Sequence, residues 1–509
     1  MDKAKTFLSV LLAITLLSAC AQANDPTPGT PSPDQGEPKE TEAAETEPVE
    51  IDEYGREIPR YPLESGLDFD GYKIRMLSRD EVRWYMDFGV EELTGEVVND
   101  AIYDRNLSVQ SDLNVLLTQI LLISDNYSVS DAILTNYRAG DTAYDIAGLY
   151  QLYGDAPSLN GAFMNLYQVP YIDFSKPWWN QSFTDELTVD GQLYYSVGEM
   201  NLSVTATLMG VFVNQKLYLD YWGDPAELYD TVREGKWTKE EFKRIVTGTY
   251  ADLNGNGKKD LKDSYGFVLD EADIGPWLPA FNIRLCTQDE SGMPRLSYFT
   301  EKSVAAHEWM YDFFLEHPDV FFVPKNAGYM DMFKQDRALT AIIKFDDAAT
   351  ILRDMESDYG VLPMPKYDEA QTAYYNATHD NSNLTGVISN TQNPAAVGAA
   401  MELLSYYSYL NVTPAYFEVA LKHKYFKDSD SAEMFDIIRD GAIVDFGQVY
   451  SLEIGGGTYS FDTTYHLLSR NQIRNKNRDI ASRYRMNEQL YQKMLDSILE
   501  KYEEMGAGG

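Results

Sequence analysis

Tyr72-Lys73-Ile74-Arg75-Met76-Leu77, then residues 115–120, then Tyr144-Asp145-Ile146-Ala147-Gly148-Leu149 are the stretches that decide the fold. Each is a short apolar run of strand length. A helical pattern fills each gap. The first helix is expected over 98–112, capped by Asn99, with Ile102, Leu107 and Val109 on its apolar face. The second is expected over 130–137. Strand–helix–strand–helix–strand predicts a mostly parallel sheet with helices on its faces. In such sheets ligands bind outside the carboxyl ends of the strands. The segments after Leu77 and after Leu149 are therefore candidate site segments.

Further along, strands are expected at 205–212, 266–269, 339–345 and 384–388, and helices at 303–316, 395–409, 433–438 and 486–505. Thr238 followed by Glu241 reads as a capping box opening another helix. There are no internal repeats. Of the 509 residues, 490 remain beyond the first nineteen, too many for one ordinary core, so two lobes are expected. The 42 basic against 80 acidic residues give a net charge of -38, a field that repels phosphates and excludes nucleic-acid binding.

The first nineteen residues read as an export signal: Lys3 and Lys5, then an apolar run from Thr6 to Leu17 that is too short to span a bilayer. The run ends in Leu17-Ser18-Ala19-Cys20, which resembles the bacterial lipobox, in which the cysteine thiol takes a diacylglycerol. Cys20 is accordingly the expected lipidation site, holding the protein on the outer face of the cell membrane. The alternative is a plain secretory signal with a chance cysteine. Residues 20–66, rich in Pro, Thr and Glu, are expected to form a disordered tether. Cys286 is then without a disulfide partner and reads as a small buried hydrophobe.

The body resembles the extracellular solute-binding proteins of ABC importers, the broad family 1 group that includes the maltose-type proteins. The resemblance rests on the lipobox, 95–101 at the first helix, Ala143-Tyr144-Asp145-Ile146, Gly235-Lys236-Trp237-Thr238, 252–267 and 356–366, in that order along one chain. It implies a two-lobed, periplasmic-binding-protein-like α/β fold of type II, with a solute trapped between lobes joined by several crossings. The strands at 205–212, 339–345 and 384–388 are the expected crossings. Lobe 1 is then 67–204 plus 339–384, and lobe 2 is 205–338 plus 385–509. The implied function is capture of a small solute, an oligosaccharide being favoured, and its delivery to ABC permease subunits. A monomer is assumed.

Residues 252–263 form the sharpest chemical motif. Asp252, Asn254, Asn256, Asp260 and Asp263 fall at the oxygen-donor positions of an EF-hand loop, Lys258 would offer its carbonyl, and Gly257 permits the turn. Structural calcium is expected. Asp263 stands where glutamate is usual, which weakens bidentate binding. The other reading is an Asn-Gly turn with no metal.

Sugars present flat C–H faces and many hydroxyls, so aromatic platforms with carboxylates and amides suit them. Candidates chosen by position after strands are Arg83, Trp84, Tyr85, Tyr150, Tyr153, Trp277, Lys344, Phe345 and Asp347, with Asp380 and Asn383 before the last crossing. Gly455-Gly456-Gly457 either lets backbone approach a ligand or forms a flexible loop. Trp178-Trp179 is either a platform or a plug. The rival readings are a surface-anchored glycoside hydrolase and a carbohydrate-binding adhesin. The chain has no H-E-x-x-H and no phosphate loop, and a binding protein rather than an enzyme is expected.

Overall fold

The computed structural model describes residues 50–52, 56, 58–81, 85–122, 127–323, 328–379, 382–416, 429–460 and 462–507. The signal, Cys20, Arg83, Trp84 and Asp380 lie outside these residues. The chain divides after Pro59. In the first unit Arg56 pairs with Asp52 at 2.7 Å. The rest concerns the second unit.

Its strands, among the described residues, are β1 (Tyr72–Arg79), β2 (Val115–Leu122), β3 (Ile146–Tyr150), β4 (Met209–Asn214), β5 (Tyr265–Leu269), β6 (Cys286–Gln288), β7 (Pro294–Leu296), β8 (Val320–Phe322), β9 (Ala338–Lys344), β10 (Tyr359–Leu362), β11 (Asn376–Ala377), β12 (Asn383–Val387) and β13 (Ala442–Ile443). Two sheets dominate. The first has the order β12-β3-β1-β2, the second β10-β4-β9-β5-β8. In the first, β1 runs parallel to β2 from Tyr72↔Val115 to Arg79↔Leu122 and parallel to β3, while β12 closes the edge antiparallel to β3. In the second, β9 is parallel to β5 and antiparallel to β4. Every residue of β4 and β5 is buried, as expected of strands covered on both faces.

The expected lobe boundaries are corrected by this topology. Residues 339–344 belong to the centre of the second sheet, and 385–387 to the edge of the first, the reverse of the expectation. The apolar run Ala338–Ile343 is fully buried, and only a central strand can bury both its faces. The crossings shift with it. The chain leaves the first sheet between the helix Leu202–Ala206 and β4, and returns between β10 and β12. These two crossings lie side by side: Leu208 bridges Thr378, and His379 N–H donates to Thr207 O at 3.2 Å.

Other expectations shift by a few residues. The first helix is Val97–Leu113 with Glu96 at the N-cap; Asn99 lies inside it and donates to Glu92 O. Thr238 does cap the helix Lys239–Val246 by accepting from Glu241 N–H, but the Glu241 carboxylate turns to Arg244, so the box is half-made. Residues 60–66, expected within the tether, are among the described residues of the second unit. Tyr61 already donates to Asp112 at 3.0 Å and packs edge-on against Tyr406, so the body begins near residue 60. Cys286 is a buried free thiol. No helix among the described residues is long and apolar enough to cross a membrane.

Candidate functional site

The crossings fix which edge of each sheet faces the other. β12 enters the first sheet at Asn383, paired with Tyr150 at the carboxyl end of β3. β4 enters the second sheet at Met209, paired with Lys344 at the carboxyl end of β9. Because β5 and β8 run with β9, their carboxyl ends share that edge. Both sheets thus turn the carboxyl ends of their parallel strands toward the crossings, where ligands of such sheets bind.

On the first sheet this edge carries a group of tyrosines. Tyr150 ends β3, and Tyr153 lies in the turn that follows. Their ring centroids are 5.2 Å apart, and Tyr127, beyond β2, stands 4.2 Å from Tyr153. Tyr153 is tilted by about 40° to each of the other two. Tyr153 is buried with Leu152 against Leu452, Tyr150 is half-buried, and Tyr127 is 43% exposed. The group therefore has an anchored base and an open face. Gln151, fully buried, accepts from Gln448 at 3.2 Å, which ties this edge to the C-terminal segment.

On the second sheet, Lys344 closes β9 and pairs with Asp347 at 3.0 Å, with Asp346 at 4.0 Å. All three are partly buried and present both charges at the edge. Beyond β5, Glu271 faces Arg470 and Arg474 at 3.5 and 3.8 Å. A cavity of about 60 Å³ opens beside this edge, with Leu278 and Ile283 on its apolar side and Thr378, Gln448 and Arg470 on its polar side.

The side chains of three expected site residues are buried in other contacts. Trp277 is fully buried among Phe242, Phe267, Phe281, Trp309 and Phe314, all with ring centroids within 6.2 Å. It fills the core, because helices from two other segments supply rings that close over it. Phe345 is fully buried against Phe212 and Phe435. Asn383 is buried and donates from Nδ2 to Asp87 at 3.0 Å. Tyr85 sits half-buried in the turn after β1, its carbonyl accepting from Gln119. Trp178 and Trp179 prove to be a plug: both indole N–H groups donate to the buried Glu402, at 3.1 and 2.9 Å. Burial pushes the Glu402 carboxyl up to about 7. Gly456 and Gly457, at φ 101° and 76°, end the short helix Ser451–Ile454.

Tyr127 was missed, although it follows β2 by the same rule that selected Tyr150. Leu452 and Gln448 carry no local sequence signal, since a chain segment three hundred residues away brings them there.

The loop 252–263 is closed by the bridge Ala251↔Ser264. The Asp252 carboxylate accepts from Gly255 and Gly257 N–H at 2.7 and 2.8 Å. The side chains of Asn254 and Asn256 turn onto Asp260 at 3.1 and 2.8 Å, and Asn254 also reaches Asp263 at 3.3 Å. Asp263 is buried and accepts from Tyr250. Lys259 points away, donating to the carbonyls of His317 and Val320. The amide nitrogens of Asn254 and Asn256, not their oxygens, face the carboxylates, and their oxygens accept from Asn256 and Lys258 N–H. Among the described residues, no group of three or more His, Cys, Asp or Glu side chains is set to hold a metal, so the amides of Asn254 and Asn256 would have to complete the set.

No protein-family model matches the chain, and no curated protein is significantly similar to it in sequence. Solved structures are similar in fold. An ABC transporter solute-binding protein from Thermotoga lettingae, bound with α-D-tagatose, has a TM-score of 0.53 at 11% identity, over 84% of this chain and all of that one. The maltose–maltodextrin binding protein of Alicyclobacillus acidocaldarius gives 0.51 at 13% identity, over 82% of this chain and all of that one. UspC of Mycobacterium tuberculosis gives 0.52 at 13%, over 81% of this chain and all of that one. The chain has the two-lobed α/β fold of the maltose-type solute-binding proteins of ABC importers.

Proposed function

We propose that the protein captures a carbohydrate between its two sheets and passes it unaltered to an ABC importer. The observation that carries this is the tyrosine group at the facing edge of the first sheet. Tyr127 and Tyr150 offer ring faces to the C–H side of a sugar. Lys344, Asp346 and Asp347 at the corresponding edge of the second sheet offer donors and acceptors to its hydroxyls. Fold neighbours whose names record a sugar ligand support the reading. Closure would follow from rotation about the paired crossings at Thr207–Leu208 and Thr378–His379. Cys20 would hold the body at the outer face of the membrane through its lipid, and calcium in the loop 252–263 would brace that loop without taking part in binding.

The test is a thermal-shift screen of the mature chain against neutral oligosaccharides. A bound sugar raises Tm by mass action and is recovered intact, and small-angle scattering shows compaction. Cleaved sugar would make the protein an enzyme, and a panel with no shift would remove the carbohydrate reading. The same assay with a chelator lowers Tm, and added calcium restores it; an unchanged Tm removes calcium from the proposal.

A further inference from the structure

We propose that Asp87 is a positioning residue for solute capture, pinning the two described crossings to the first sheet through a contact that a proton can loosen. The functional consequence rests on the reading above, that the sheets move about these crossings; the contact itself does not.

Asp87 lies in the turn after β1 and is completely buried. One carboxylate oxygen accepts from Ser203 N–H at 2.7 Å. The other accepts from Ser203 Oγ–H at 2.6 Å and from Asn383 Nδ2–H at 3.0 Å. Ser203 Oγ in turn accepts from Asn383 N–H at 3.1 Å. Ser203 sits in the helix Leu202–Ala206, where the first crossing leaves the sheet, and Asn383 opens β12, where the second crossing arrives. A single carboxylate therefore joins the departing chain to the returning one. The charged group that acts on it is the buried guanidinium of Arg105, on the helix Val97–Leu113, which donates to Ser408 at 3.1 Å. Ser408 follows the helix Pro394–Tyr407.

Three donors on one carboxylate suit its charged form. The three donors take three of its four lone pairs, so a proton either displaces one of them from Oδ2 or takes the free lone pair of Oδ1, and in both cases it leaves a weaker acceptor. Burial opposes the charge and pushes the Asp87 carboxyl up to about 7. The two tendencies are close to balance near neutral pH. Ionised, the carboxylate holds both crossings strongly; protonated, it is the weaker acceptor and holds them less tightly. The thermodynamic sign is fixed. The folded pKa lies above the unfolded one, so the stability this group contributes is greatest below about pH 4. It is lost as pH rises toward 7 and is constant above that.

The test compares wild-type mature chain with Asp87→Asn and Asn383→Ala. At pH 8, hydrogen exchange in segments 200–208 and 376–384 should be roughly tenfold faster in both variants, the change that loss of one hydrogen bond to a charged group brings. Exchange in β1 should be unchanged. The fall in Tm from pH 5 to 8 should be shallower in Asp87→Asn and retained in Asn383→Ala. Should Asp87→Asn fail to fold, Asn383→Ala carries the exchange test alone. Uniform acceleration throughout, no acceleration at the crossings, or an unaltered pH profile in a folded Asp87→Asn would each overturn the proposal. Failure of the wild type to compact with sugar would instead strike the function, leaving the exchange result to stand.

Discussion

Tyr127 and Tyr150, beyond β2 and at the end of β3, keep part of their ring surface in solvent over the buried Tyr153, whereas Trp277, beyond β5, is enclosed by five other rings. Both groups follow the carboxyl ends of parallel strands. Position after a strand selects a segment of chain; it does not decide which ring stays open. That is decided by what the rest of the chain brings. Phe242 and Trp309, on the helices Lys239–Val246 and Glu301–Tyr311, close over Trp277. Around the tyrosines, Leu452 covers Tyr153 and leaves Tyr127 uncovered.

The sharpest way to break this contrast is to truncate both sides of it. Trp277→Ala should cost about 3–5 kcal/mol of stability, as large aromatic truncations in a core do, read by chemical denaturation. The folded fraction should keep its affinity for sugar. A variant that stayed stable but lost affinity would return Trp277 to the site. Next is the plug at Trp178 and Trp179, which belongs with the closed group. Burial raises the Glu402 carboxyl to about 7, so its contribution to stability is largest below about pH 4 and declines as pH rises to 7, by up to roughly tenfold in the folding constant per pH unit. Glu402→Gln should remove that slope from the melting profile; a profile parallel to wild type would mean the carboxyl titrates normally. The smallest effect on stability belongs to the open group. Tyr150→Ala should cost about 1 kcal/mol or less while weakening sugar binding about tenfold, the scale of one aromatic contact, measured by calorimetry. A larger loss of stability than of affinity would place Tyr150 with Trp277.

The parallel strands were legible because their apolar runs alternate with amphipathic helices: β1, β2 and β3 each lie within two residues of the expected bounds. Tyr150 and Lys344 were legible for the same reason, as the last residues of β3 and β9. Lobe membership was not. Residues 338–344 read as an apolar strand whichever sheet receives them, and pairing with β4 or with β3 is a long-range choice that leaves no local mark. Asn383 reads in sequence as a candidate ligand contact before a strand, and only the fold shows Asp87 beside it.

The order of the first sheet also governs how the molecule is made. β1, β2 and β3 emerge early, but the strand that covers the open side of β3 is encoded only after the whole second sheet. Until then β3 offers a row of bare peptide groups, the kind of template on which nascent chains stick to one another. Because that closure joins residues far apart in sequence, it is intrinsically slow. A polypeptide cut anywhere before Asn383 lacks the means to finish its first half, and a helper that shields unfinished chains would have its longest task at that strand.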